Sequence, residues 1–174
     1  MRIELRRHSI KGVGDQKDVL SLEGIKLARN VGVEQMSGKN YTHVLTSTFF
    51  RTMQTACAFA EGAGDFTVAR FDTSEALNSE KMKEWGAYIK LHGVRVVQSE
   101  DLIIEESGRM ADGFQALCSR LPENARMLAV GHAPLLECLV FGLTGAVIDP
   151  LHECEGVILD YDGSKFVLVE EIRL

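Results

Sequence analysis

The feature that most restricts what this chain can fold into is an alternation of two patterns. Short apolar runs recur, each ending in polar residues, and most lead into segments whose apolar residues repeat with a helical period. The first run, Ile3 to His8, begins as an apolar-alternating strand and carries Arg7 and His8 to its carboxyl end. A polar, glycine-containing loop follows over 12–18. Ser21 reads as an N-cap, and a helix is predicted from Glu23 to about Met36, with Ile25, Ala28, Val31 and Val33 as apolar positions. His43 to Ser47 has the signature of a buried strand. It runs directly into a helix over Phe49 to Glu61, which Gly62, Ala63 and Gly64 close.

Phe66 to Phe71 is the next expected strand, Asp72 to Ser79 a polar loop, and Glu80 to Leu91 a helix. Val94 to Glu105 fits a strand by its valines, and a loop or edge strand by its charges. Ser107 is read as the cap of a helix to Leu121 that Pro122 breaks. Met127 to Gly131 is nearly all apolar, a buried strand, and Pro134 suits the first turn of a helix reaching Leu143. Val157 to Tyr161 and Lys165 to Glu170 flank Asp162-Gly163, a hairpin signal. Together these elements predict an α/β fold: a three-layer α/β/α sandwich around a mostly parallel sheet with an antiparallel edge. A length of 174 residues suits one domain, 1–174, with one core.

Composition excludes several partners. A net charge of −6 disfavours nucleic acid and anionic membrane surfaces. No apolar run approaches the roughly 18 residues of a membrane span. The N-terminus lacks the pattern of a secretory signal, so a cytoplasmic location is expected. Cys57, Cys118, Cys138 and Cys154 are far apart; the first three fall in apolar helical patterns, where buried thiols are expected. Neither a zinc site nor a disulfide framework is expected.

Three strands deliver polar residues to their carboxyl ends, where ligands of α/β folds bind. The first supplies Arg7 and His8. The second supplies Thr46, Ser47 and Thr48, with Arg51 inside the following helix, and the late strand supplies Gly131 and His132. Two arginines and two histidines around one point suit a dianionic phosphoryl group, since guanidinium forks match its oxygens and an imidazole can attack phosphorus.

These stretches resemble a known family. Arg7-His8, Leu20-Ser21-Leu22-Glu23-Gly24, the run from Thr46 to Ala56 and Val130-Gly131-His132 match, in order, motifs of the histidine phosphatase superfamily. The segment Val130 to Glu137 is similar to that of its SixA-type phosphohistidine phosphatases, while Glu106-Ser107 to Asp112 resembles phosphoglycerate-mutase-like phosphatases. The resemblance implies a phosphoglycerate mutase-like fold and a hydrolase working without metal or other cofactor. It implies His8 as the nucleophile and Arg7, Arg51 and His132 as the groups neutralising the phosphoryl oxygens. The implied substrate is a phosphohistidine protein or, alternatively, a small-metabolite phosphomonoester. A non-catalytic phospho-ligand binding module is the rival from another class, and the oligomeric state stays open.

Departures from the family pattern bear on turnover. Ser9 stands where the family has glycine and offers a further hydroxyl donor; Gly14 stands where many sugar-phosphate members carry asparagine. The family's general acid follows a Leu-Asn pair, but here Leu77-Asn78 precedes Ser79, leaving Glu75 and Glu80 as candidates. The weak signal for a general acid favours substrates with good leaving groups, such as phosphohistidine. His43 and His92 are expected to be no ligands, His152 a rim residue at most, Lys11 a solvated loop residue, and Trp85 a packing or pocket-wall residue.

Overall fold

Alternate residues of a strand project to opposite faces, and in the central strands of this protein both faces are covered. The computed structural model describes residues 1–64, 70–78 and 82–174, the side chains at 70, 71, 75 and 82–84 excepted. Its strands are β1 (Arg2–Arg7), β2 (His43–Thr46), β3 (Arg70–Thr73), β4 (Arg126–Gly131), β5 (Gly156–Tyr161) and β6 (Phe166–Ile172). They form one sheet in the order β3-β2-β4-β1-β5-β6. The first four are parallel, and β5 and β6 add the antiparallel edge that the Asp162-Gly163 hairpin predicts.

Helices α1 (Leu22–Val31) and α2 (Phe50–Ala63) cover one face; α3 (Met82–His92), α4 (Asp101–Cys118) and α5 (Leu135–Thr144) cover the other. The alternation is plain in β4: Leu128 and Val130 pack with Ala28, Ala56 and Phe59, whereas Met127 and Ala129 pack with Phe114 and Leu139. In β1, Ile3 and Leu5 join the larger cluster, but Glu4 and Arg6 are buried on the opposite face as charges. Arg6 donates to Glu4, to the Cys154 carbonyl and to Gln35, while Glu4 also takes Lys39 and Tyr41. No helix of the described residues is long and apolar enough to cross a membrane.

Several boundaries differ from expectation. The helix expected to reach Met36 stops being α-helical at Val31 and continues as a π-helical turn, Gly32–Met36. The expected strand over Phe66 to Phe71 falls largely on 65–69, outside the described residues; the described strand is Arg70–Thr73, reaching into the expected loop. Val94 to Glu105 is neither strand nor edge. Val94–Gln98 is a 3-10 helix that buries Val94 and Val97, three residues apart as that geometry requires. Ser107 caps nothing; it lies buried inside α4, donating to the Ile103 carbonyl one turn earlier. Asp101 in the first turn favours the earlier start, because a carboxylate there meets the positive helix end. Cys118, Cys138 and Cys154 are buried, but Cys57, expected among the apolar positions of α2, faces solvent. The packed face of that helix runs through Thr52, Thr55, Ala56 and Phe59 instead.

Candidate active site

Register places the site. β1 and β4 are paired so that Arg7 lies beside Gly131, which sets the next residues, His8 and His132, at neighbouring strand ends. The amide of His8 donates to the Gly131 carbonyl at 3.0 Å, and the Ser47 amide donates to the Val130 carbonyl at 3.2 Å. Three adjacent strands, β2, β4 and β1, thus end at one point. The imidazoles of His8 and His132 meet edge to face with centroids 5.1 Å apart.

The hydrogen bonds of each ring fix its tautomer. Nδ1 of His8 lies 2.6 Å from the Ser9 carbonyl, which can only accept, so Nδ1 carries the hydrogen. Nε2 keeps its lone pair and receives the Nε–H of Arg51 at 3.3 Å. Burial pushes the His8 pKa down to about 4, with Arg51 and Arg7 adding to the fall and the Ser9 carbonyl opposing it. His8 is therefore neutral near pH 7.

His132 is bound the other way round. Its Nδ1 accepts from Nη2 of Arg51 at 3.3 Å, and its Nε2–H donates to the Ser47 hydroxyl at 2.7 Å. Ser47 in turn lies 3.0 Å from the Thr52 hydroxyl, which donates to the Phe49 carbonyl at 2.7 Å. A chain that ends on a carbonyl has one direction, so His132 is its donor. Burial, then the charge of Arg51, pushes its pKa down to about 2.

Arg51, in the first turn of α2, bridges both histidines. Its guanidinium lies 4.5 Å from the centroid of the Phe49 ring, whose edge-to-face contact with His132 spans 5.1 Å. Asp18, on the loop after β1, approaches Nη1 at 3.5 Å. Burial lowers the Arg51 pKa despite that carboxylate. Arg7 shares the strand end but turns its fork elsewhere: Nη1 donates to the Leu151 carbonyl at 2.6 Å and Nη2 to Glu153 at 2.7 Å. Its Nε is buried with no partner among the described residues. The structure thus brings His8, Arg51 and His132 into direct contact. Arg7 is felt by both rings as a charge without bonding to either.

The remaining motif residues hold this frame. A Cβ on Gly24 would stand 2.1 Å from the Ile10 carbonyl, so glycine lets α1 pack onto the loop after β1. Ser21, as expected, caps α1 by accepting from the Gly24 amide. Gln54 accepts from the Leu20 amide, and Thr55 from the Ser9 amide. Ser9 has no left-handed backbone, so the missing glycine costs no strain here. Its hydroxyl donates to the Gly24 carbonyl, a backbone anchor rather than the extra donor expected at the site. Ser47 and Thr52 stood inside the motif with no assigned role; what marked them was their position at a strand end and one helical turn beyond it.

Of the acid candidates, Glu80 and the side chain of Glu75 lie outside the described residues. His43 pairs with Thr42, His92 lies against Tyr88, and His152 is exposed on the loop before β5. Trp85 is buried in the core, and Lys11 is exposed yet near enough to add to the fall of the His132 pKa. Among the described residues, no three His, Cys, Asp or Glu side chains gather as a metal site.

No protein-family model matches the chain, and no curated protein matches it in sequence. Solved structures do match it in fold. A phosphoserine phosphatase from Entamoeba histolytica, solved with 3-phosphoglyceric acid, superposes with a TM-score of 0.73 over 99% of this chain and 97% of its own, at 19% identity. The protein histidine phosphatase SixA, solved with tungstate, gives 0.70 over 99% and 96%, at 17% identity. A phosphoglycerate mutase from Bacillus anthracis gives 0.66 over 99% and 92%, at 14% identity. The chain has the phosphoglycerate mutase-like fold that histidine phosphatases share.

Proposed function

We propose, from a fold held in common with histidine phosphatases, that this protein is a metal-independent phosphatase working through a phosphohistidine at His8. The observation that carries the reading is the state of His8: neutral, with Nδ1–H tied to the Ser9 carbonyl and the Nε2 lone pair directed at Arg51 beside His132.

In the first step Nε2 attacks phosphorus, and the bond from phosphorus to the leaving group breaks. The leaving group departs with that electron pair and takes a proton from water. The ring becomes positively charged, and the Ser9 carbonyl stabilises it through Nδ1–H. Arg51, the Nε–H of Arg7 and His132 donate to the equatorial oxygens, where charge gathers in a loose transition state. A bound dianion raises the His132 pKa, so that Nδ1 takes a proton from solvent as Arg51 turns its N–H to the phosphoryl oxygens. Nε2–H stays on Ser47, and the proton returns to solvent when phosphate leaves. Water then attacks phosphorus, the Nε2–P electron pair returns to the ring, and phosphate leaves.

The substrate class this reading favours is a phosphohistidine on a protein. Its imidazole leaves without strong protonation, and the described carboxylates nearest the two arginines, Asp18 and Glu153, are engaged by them. Phe50, the residue before Arg51, is 68% exposed, an apolar side chain suited to a protein surface.

The test is turnover of p-nitrophenyl phosphate and of a phosphohistidine peptide in EDTA, by wild type and His8→Ala. The expected result is metal-independent turnover, lost in His8→Ala, with the peptide preferred. Preference for small phosphomonoesters would replace the substrate class. Phosphate binding with no turnover of either compound would make the protein a binding module.

A further inference from the structure

Arg7 is held by a structure that the phosphatase chemistry does not itself explain. Its Nη1 is taken by the Leu151 carbonyl at 2.6 Å, and the amide of that same residue donates to Oε1 of Glu137 at 2.9 Å. Glu137 sits in the first turn of α5, just after His132, and is 2% exposed. A carboxyl group buried that deeply needs partners, because its desolvation is costly unless it is hydrogen-bonded. Arg7, Glu137 and Leu151 line one cavity of about 300 Å³ together with Pro134. Glu137 and Arg7 also each keep one polar atom buried without a partner among the described residues, Oε2 of Glu137 and Nε of Arg7.

We infer that Glu137 is a positioning residue for Arg7, acting through the backbone of Leu151, whose N–H and carbonyl lie in consecutive peptide units, so that the Nε–H of Arg7 is presented to the phosphoryl group. The inference rests on the phosphatase reading above. The coupling needs no ion pair: burial raises the Glu137 pKa, while the Leu151 amide and the charges of Arg7 and Arg173 only partly oppose it. The loop that transmits it is braced on its other side. Glu155 accepts from the His152 amide, and Arg173 donates to Glu155 and to the Asp149 and Pro150 carbonyls. A peptide pinned from two sides transmits a displacement instead of absorbing it. Helix α5 therefore governs two of the three groups that donate to the phosphoryl oxygens, His132, which leads into it, and Arg7, through Glu137 in its first turn.

The test is calorimetric binding of inorganic phosphate to wild type, Glu137→Gln, Glu137→Met, Arg7→Ala and the Arg7→Ala/Glu137→Met double variant. Glu137→Gln keeps an acceptor for the Leu151 amide and is expected to bind as wild type does. Glu137→Met keeps the bulk but loses the acceptor, and is expected to bind about tenfold more weakly, a usual size for coupled neighbours. In the Arg7→Ala background the same substitution is expected to cost nothing more. An undiminished loss in that background would make Glu137 merely structural, and wild-type affinity in Glu137→Met would end the proposal outright. Should the Met variant fail to fold, Glu137→Asp, one methylene short of the Leu151 amide, is put through the same cycle with the same two outcomes. Failure of the phosphatase reading looks different: wild type itself would not bind phosphate, or would bind it without turnover.

Discussion

Ser47 accepts the Nε2–H of His132 at 2.7 Å and continues the chain to Thr52 and the Phe49 carbonyl, so one side of the ring to which the proposed mechanism gives a phosphoryl contact is held by one hydroxyl. Ser47→Ala should leave the fold intact and lower kcat on p-nitrophenyl phosphate by about a hundredfold, the cost of a misplaced reacting group. On the proposed mechanism Arg51→Ala should cost about 10²–10³ in kcat, because a preorganised donor to both His8 and the phosphoryl oxygens is lost. The buried histidines also make stability depend on pH. In the unfolded chain they bind protons below the usual value of 6.5; in the folded chain His8 does so only near 4 and His132 near 2. The unfolded state therefore binds more protons as pH falls, and stability drops on acidification. Between pH 6.5 and 4, His8 alone should remove on the order of 3 kcal/mol, read from urea midpoints across that range. His8→Asn should reduce that slope by about half, the remainder belonging to His132.

At the scale of elements, the decisive contacts are those that bring α1 and α2 against the loop after β1. Gly24 is the tightest of them. In an exposed helix, alanine for glycine gains up to about 1 kcal/mol of propensity. Here the added methyl would meet the Ile10 carbonyl at 2.1 Å, and backbone cannot swing aside as a side chain can. Overpacking wins: Gly24→Ala should lower stability by about 1–3 kcal/mol, measured by chemical denaturation. It should weaken the proposed catalysis too, because Ser9, next to His8, bonds to the Gly24 carbonyl. The early start of α4 was harder to read. Its first turns carry Asp101 and Glu105, charges that fit a loop or an edge strand, but Ile103 faces the core while the adjacent residues Leu102 and Ile104 remain partly exposed.

For the molecule as a whole, the sheet carries a cost that its central position imposes. β1 must be buried on both faces, yet one face presents Glu4 and Arg6. Burial would raise the Glu4 pKa, but Arg6, Lys39 and Tyr41 outweigh it and hold the carboxyl below its usual range. Arg6→Met keeps the bulk but leaves Glu4, the Cys154 carbonyl and Gln35 each short of a donor. It should cost about 3–5 kcal/mol in denaturation, as broken buried pairs do.

The alternation of strand and helix patterns was enough to determine the three-layer class, the mostly parallel sheet and the antiparallel hairpin at its edge. Local periodicity reports which face of an element is apolar, and that is what layers need. The ordered motifs also pointed to His8, Arg7, Arg51 and His132 as one group, since strand ends in such folds share one side of the sheet. Tertiary structure decided what spacing along the chain cannot carry. The pairing of β1 with β4 set the two imidazoles edge to face, and neighbouring hydrogen-bond partners chose a different tautomer for each. Arg7 met Leu151 and Glu153, more than 140 positions away, rather than the histidines beside it. Ser9 turned to Gly24, and Glu137 came under Leu151. Each of these depends on a partner distant in sequence, and such partners are chosen by packing and by the need to satisfy buried polar groups, neither of which leaves a local pattern.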